Sequence, residues 1–101
     1  MKYSYSLHEE AFEEFQHAIE WYKERGKSNQ YRTKIKEAIQ AIRDNPFAWQ
    51  VEDEDDRFRR YILKTFPYKI VYAVHKGDNH IYIIAIAPTR KKEGYWKKRA
   101  D

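Results

Sequence analysis

The sequence predicts a two-layer α+β domain of order β-α-α-β-β-β, in which an N-terminal helical hairpin packs on one face of an antiparallel sheet. Three observations carry this. Residues 66–74, Phe-Pro-Tyr-Lys-Ile-Val-Tyr-Ala-Val, are aromatic and β-branched with no acidic residue, the strongest strand signal in the chain. Two apolar stripes at helical spacing lie upstream, joined by the short Gly26-Lys27 connection. Turn residues then divide the second half into three segments whose links are too short for anything but antiparallel neighbours.

Residues 2–6 alternate and are rich in Tyr, which predicts a short strand. Ser6-Leu7-His8-Glu9 fits a capping box, with Ser6 bonding a backbone N–H and Glu9 reaching back. The first helix carries Ala11, Phe15, Ala18 and Tyr22 on one stripe, widened by Phe12 and Ile19. Its acidic start (Glu9, Glu10, Glu13, Glu14) and basic end (Lys23, Arg25) complement the helix dipole, and Gly26 stops it. Ser28 or Asn29 is expected to cap the second helix, whose stripe is Tyr31, Ile35, Ala38, Ile39 and Ile42. Asn45-Pro46 ends that helix.

Residues 47–56 are expected to be loop, and residues 57–64, 66–75 and 80–87 to be strands. In the middle strand Tyr68, Ile70, Tyr72 and Val74 point one way, and Lys69, Val71, Ala73 and His75 the other. Pro67 sits at its start, where a missing N–H does least harm. Lys76-Gly77-Asp78-Asn79 supplies a turn in which Gly and Asn can take positive φ. The helical hairpin must bury its stripe on the apolar sheet face, with Phe15, Tyr22, Ile35, Ile39, Ile42, Ile70 and Tyr72 in or beside the core.

The 101 residues suit one domain, 1–101, with 42% hydrophobic and 36% charged residues. No apolar run approaches the roughly 20 residues of a membrane span, and the N-terminus lacks a signal-peptide hydrophobic region. The absence of cysteine excludes disulfides and thiolate metal sites, and a cytoplasmic location is the expectation. The net charge of +4 is unevenly spread. Residues 52–56, Glu-Asp-Glu-Asp-Asp, form an acidic run, whereas Arg90, Lys91, Lys92, Lys97, Lys98 and Arg99 make the C-terminus basic.

Arg57, Arg59 and Arg60 lie on the strand before the central one, Lys64 and Lys69 follow, and Arg90 leaves the last strand. On the sheet face away from the helices these cations, interleaved with tyrosines, suit phosphate and stacked bases; a solvated outer face is the bland alternative. His75 and His80 bracket the hairpin turn, but no third metal ligand is evident. No glycine-rich phosphate loop and no serine triad context is present. No cofactor is expected.

Four stretches together resemble the RelE/ParE superfamily of type II toxin–antitoxin toxins, the plasmid stabilisation type. They are Glu10-Ala11 with Ile19-Glu20-Trp21-Tyr22; Ala38-Ile39 with Ile42, Asn45 and Pro46; Arg60 followed by residues 66–72; and Ile84-Ala85-Ile86 leading to Arg90 and Tyr95-Trp96-Lys97-Lys98-Arg99. The resemblance implies a small toxin neutralised by a separate antitoxin. Its target is either ribosome-bound mRNA, cut as an endoribonuclease, or DNA gyrase, which is poisoned; fold alone does not choose between them. A relative that kept the fold and lost toxicity is a further alternative. Many relatives have a His before the last arginine, where this chain reads Pro88-Thr89-Arg90.

Metal-free RNA cleavage needs a proton acceptor for the attacking 2′-OH, cations on the phosphorus oxygens and an acid for the leaving 5′-oxygen. Arg60 and Arg90 would supply charge, Lys64 or Lys69 would serve as base with a depressed pKa, and Tyr95 would be the acid or stack on a base. Tyr95-Trp96 reads equally well as aromatics pinning the tail to the sheet. The two arginines are expected near one another on or beside the open sheet face.

Overall fold

The structure is a computed structural model that describes residues 2–52, 55–92 and 94–100. In chain order the elements are β1 (Ser4–Leu7), α1 (Glu9–Lys23), α2 (Ser28–Asp44), β2 (Gln50–Val51), β3 (Phe58–Ile62), β4 (Tyr68–His75), β5 (His80–Pro88) and α3 (Lys97–Ala100). The sheet order is β1-β5-β4-β3-β2. The last three long strands are antiparallel neighbours as the short turns require, while β1 adds to the outer edge of β5 in parallel. That orientation follows from the topology: β1 feeds α1, which crosses β5 and returns through α2, so the first strand enters beside the last one.

Both helical stripes are buried: Ala11, Ala18, Ile19 and Tyr22 from α1, and Tyr31, Ile35, Ala38, Ile39 and Ile42 from α2. They pack on Ile70, Tyr72, Ile81, Ile83 and Ile86 of the sheet. Phe12, expected on the stripe, is exposed. At one end of this core Tyr22, Tyr31 and Phe66 form a ring cluster with centroids 4.9–5.4 Å apart, within the range where aromatic quadrupoles attract.

The helix caps differ from expectation. His8, not Ser6, caps α1, its Nδ1 accepting the Glu10 N–H at 3.0 Å. Ser6 is held within β1, where its hydroxyl bonds His80 Nε2 at 2.8 Å. Gly26 ends α1 with φ +69, and the Lys27 N–H already bonds the Tyr22 carbonyl at 2.9 Å. The turn is so tight that Ser28 is the first residue of α2 rather than its cap, and Lys27 caps it without a side-chain bond. Residues 47–56 are not all loop, because Gln50 and Val51 pair with Arg60 and Arg59. In the second hairpin turn it is Asn79 that takes positive φ, at 48°.

A bulge between β4 and β5 has larger consequences. Val71 opposes Ala85 and Tyr72 opposes Ile83, so Ile84 is an extra residue on β5. Ile84 and Ala85 therefore both face away from the helices, joining Phe58, Val71 and Trp96 in a second small core. The sheet face expected to be open is thus partly covered by the C-terminal tail. Trp96 is 1% exposed, with its ring 4.5 Å from that of Phe58. Burying an indole removes roughly 150–250 Å² from water, worth about 4–6 kcal/mol of transfer free energy, enough to hold a short tail in place.

Candidate functional site

The sheet register brings three of the sequence-predicted residues to one end. Ile62 opposes Lys69, Lys69 opposes Ala87, and the Thr89 N–H closes on the Pro67 carbonyl at 2.9 Å. Lys64, Lys69 and Arg90 all lie at this end, where β3 and β5 finish and β4 starts. Their surroundings differ. Lys64 and Arg90 are exposed and form no hydrogen bond or ion pair among the described residues. Lys69 is 2% exposed, on the face of the second core.

Arg60 lies one step further along the same face, opposite Val71. Its Nη1 meets Glu52 Oε2 at 3.0 Å, in a pair whose side chains are only 11% and 2% exposed. Glu52 reaches it because the Glu52 N–H extends the β2 ladder onto the Phe58 carbonyl at 2.9 Å. The acidic run is therefore not simply a solvated loop. Glu52 is buried, and Arg57 hydrogen bonds hold the Asp55 carboxyl down to about 2; Asp53 and Glu54 lie outside the described residues. Arg90 lines a cleft beside α1, and among the described residues no hydrogen bond or ion pair runs between it and Arg60.

Tyr95 is bound to a residue that sequence reasoning passed over. Glu14 leaves α1 three residues after Ala11 and four before Ala18, on the buried stripe. β1 covers β5 only as far as Ile83, leaving the β5 edge beyond it without a strand. Glu14 Oε1 fills that gap by accepting the Ile86 N–H at 3.0 Å, and Arg99 Nη1 caps the Ile84 carbonyl at 3.1 Å. The Tyr95 hydroxyl donates to Glu14 Oε2 at 2.6 Å. Burial first, and this bond to a carboxylate second, push the Tyr95 phenol well above its ordinary range. It keeps its proton, and the same carboxylate raises the Arg99 pKa. A carboxylate placed on an apolar stripe is the signal that could have singled out Glu14, and the spacing Tyr95-Trp96-x-x-Arg99, one helical turn, could have singled out its partners.

The cleft lined by Arg90 measures about 540 Å³ and separates α1 from the ends of β4 and β5. His17 and Trp21 form its α1 wall, and Tyr68, Thr89, Arg90 and Lys91 the other. Trp21 is 54% exposed, with the Arg25 guanidinium 3.4 Å from its ring centroid. The hairpin histidines are not arranged for a metal. His75 opposes His80, but both ring nitrogens of His80 bond serine hydroxyls, Ser4 at 2.7 Å and Ser6 at 2.8 Å. Among the described residues no group of three metal-ligating side chains assembles, and no helix is long and apolar enough to cross a membrane.

Comparison with known proteins places this architecture. The free E. coli toxin RelE, as an arginine-to-alanine double mutant, matches with TM-score 0.70 at 18% identity over 99% of this chain and 95% of its own. The isolated E. coli RelE toxin matches with TM-score 0.66 at 17% identity over 95% and 94%. The archaeal RelE–RelB complex from Pyrococcus horikoshii OT3 matches with TM-score 0.57 at 18% identity over 91% and 100%. At such identities these likenesses establish the fold. No curated protein matches. The sequence profile of the ParE toxin of the type II toxin–antitoxin system parDE matches residues 5–93, most of the chain. The chain therefore belongs to the ParE toxin family of type II toxin–antitoxin systems.

Proposed function

We propose that this chain is the growth-arresting member of a toxin–antitoxin pair, and that it acts by gripping a macromolecular target, DNA gyrase, rather than by cutting mRNA. One observation carries the choice: most of the groups that would cleave RNA are already engaged. Arg60 is paired with Glu52 at 3.0 Å, Lys69 is buried, and Tyr95 gives its hydroxyl proton to Glu14 at 2.6 Å. A general acid or base must be free to exchange a proton at the reacting atom. The groups left free are surface cations: Lys64, Arg90, Lys92 and Lys98 are exposed and without hydrogen bond or ion pair among the described residues. Exposed cations of this kind accelerate association with an acidic surface without supplying chemistry.

The same cations suit a neutralising antitoxin of acidic or amphipathic character, which co-purification from the native host would reveal. Ribosome-dependent mRNA cleavage is the second reading, favoured by the freedom of Lys64 and Arg90, which leaves two cations available to a phosphate. Induced expression followed by parallel assays of plasmid supercoiling and mRNA integrity distinguishes the two. Early loss of supercoiling supports the gyrase reading, early mRNA scission the second, and unimpaired growth overturns both in favour of a fold-only relative.

A further inference from the structure

The cleft between α1 and the strand ends shares Arg90 with the target-gripping reading but adds groups which that reading does not use. Trp21 presents an indole that is 54% exposed, braced by the Arg25 guanidinium 3.4 Å from its ring centroid and by the Arg25 Nη1 bond to the Trp21 carbonyl at 2.8 Å. An exposed tryptophan fixed in this way is a preorganised stacking surface, since its rotamer entropy is already spent. Across the cleft stand the Arg90 guanidinium and the hydroxyls of Tyr68 and Thr89, none hydrogen-bonded among the described residues, and the His17 ring is likewise unengaged. Glu14, the acidic group among the described residues of the lining, has its carboxylate spent on Arg99, Tyr95 and the Ile86 N–H. The cleft thus offers an exposed indole plane, a planar cation and several unused hydrogen-bonding groups, with the Glu14 charge already neutralised. At about 540 Å³ it falls within the size range of small-ligand sites.

We propose that this cleft binds a nucleotide, its base stacked on Trp21 and its phosphate held by Arg90. A phosphate accepts the two-pronged bond that guanidinium offers, and any base has a face to stack. An apolar ligand would leave Arg90 and the hydroxyls unanswered, and a bare anion would leave Trp21 unused. The nucleotide comes either free or as one unit of a single strand, and the site chemistry is common to both. The inference does not depend on whether growth arrest runs through gyrase or mRNA.

The test titrates the full chain with adenosine 5′-monophosphate, a four-nucleotide oligoadenylate RNA and inorganic phosphate, following the indole N–H signals by nitrogen-15 NMR. Trp49 is half-buried and Trp96 fully buried, so Trp21 is the indole that should move. Trp21→Ala and Arg90→Gln alter exposed side chains outside the core, and each should weaken binding about tenfold or more. A mononucleotide binding as tightly as the oligomer indicates a free ligand, whereas tenfold tighter oligomer binding indicates a strand; both outcomes uphold the site. It is overturned if neither ligand shifts the Trp21 indole at about 10 mM, if inorganic phosphate binds as tightly as the mononucleotide, or if folded Trp21→Ala and Arg90→Gln bind like the parent.

Discussion

Glu14 and Arg99 meet in a two-pronged ion pair, Oε1 to Nη1 at 2.9 Å and Oε2 to Nη2 at 3.0 Å, across 85 positions of sequence. The pair fastens the C-terminal tail to the first helix. It also satisfies the β5 edge that β1 leaves bare, through the Ile86 N–H and the Ile84 carbonyl. With side-chain exposures of 9% for Arg99 and 22% for Glu14, the pair is sheltered enough for its hydrogen bonds to count.

Glu14→Ala should therefore destabilise the protein by about 2–3 kcal/mol, because Arg99, Tyr95 and a strand N–H lose their charged acceptor together. Urea unfolding measures the loss. Proteolysis should cut the tail of the variant faster than that of the parent, since Trp96 and the weaker Arg99 contacts to the Ile84 carbonyl and Glu10 would be left to hold it. A variant as stable as the parent would mean the ion pair is dispensable.

Arg60→Ala is expected to fail by unfolding, not by losing a functional contact. Removing the guanidinium takes a charged partner from the buried Glu52 carboxylate, and breaking a buried pair from one side costs about 3–5 kcal/mol. Thermal melts of Arg60→Ala and of Arg60→Ala with Glu52→Gln check this, the double variant recovering part of the loss. The sequence placed Arg60 on the correct strand and face. It did not show that Glu52 would be delivered to it, because β2 is only two residues long and has no periodicity to read.

The same contrast runs through the fold. Stripes with local period were legible: the five buried positions of α2 are the five expected ones, and the alternation of Ile70 and Tyr72 against Val71 was visible in advance. Features set by distant partners were not. Ser6 looked like a cap until β5 claimed its hydroxyl. The alternation in β5 reverses at Ile84, and no local signal marks that residue as a bulge. The sheet face that reads as open and cationic is partly closed by Trp96, which only the folded tail brings there.

Alkaline pH should unfold the protein in a window set by its buried tyrosines. Burial raises Tyr31, Tyr72 and Tyr95 above the ordinary 10.0. The folded state therefore holds phenolic protons that the unfolded chain has released. That stabilisation is complete below the ordinary value and is lost as pH climbs from there toward the folded values. Phenolate absorbance and far-UV circular dichroism should change together above pH 10.0. Ionisation of these tyrosines at their ordinary value, with no loss of structure, would contradict the packing.

Lys64→Ala and Arg90→Ala should leave stability within about 0.5 kcal/mol, since both side chains are exposed and unpaired among the described residues. If this end of the sheet grips the target, Arg90→Ala should weaken the grip by about 2 kcal/mol, roughly thirtyfold, and growth arrest should fade with it. Titrated induction in a growth assay, with circular dichroism on the same variants, separates the two effects.

The central claim is that the protein holds its target without cutting RNA. The most direct measurement adds purified protein to two reactions at matched concentrations: plasmid supercoiling by gyrase, and ribosomes translating a defined mRNA. The account predicts that supercoiling stops while the mRNA stays full length. Scission of the mRNA at concentrations that leave supercoiling untouched would contradict it, and would show that the cations at the strand ends suffice for catalysis despite the engagement of Arg60 and Tyr95.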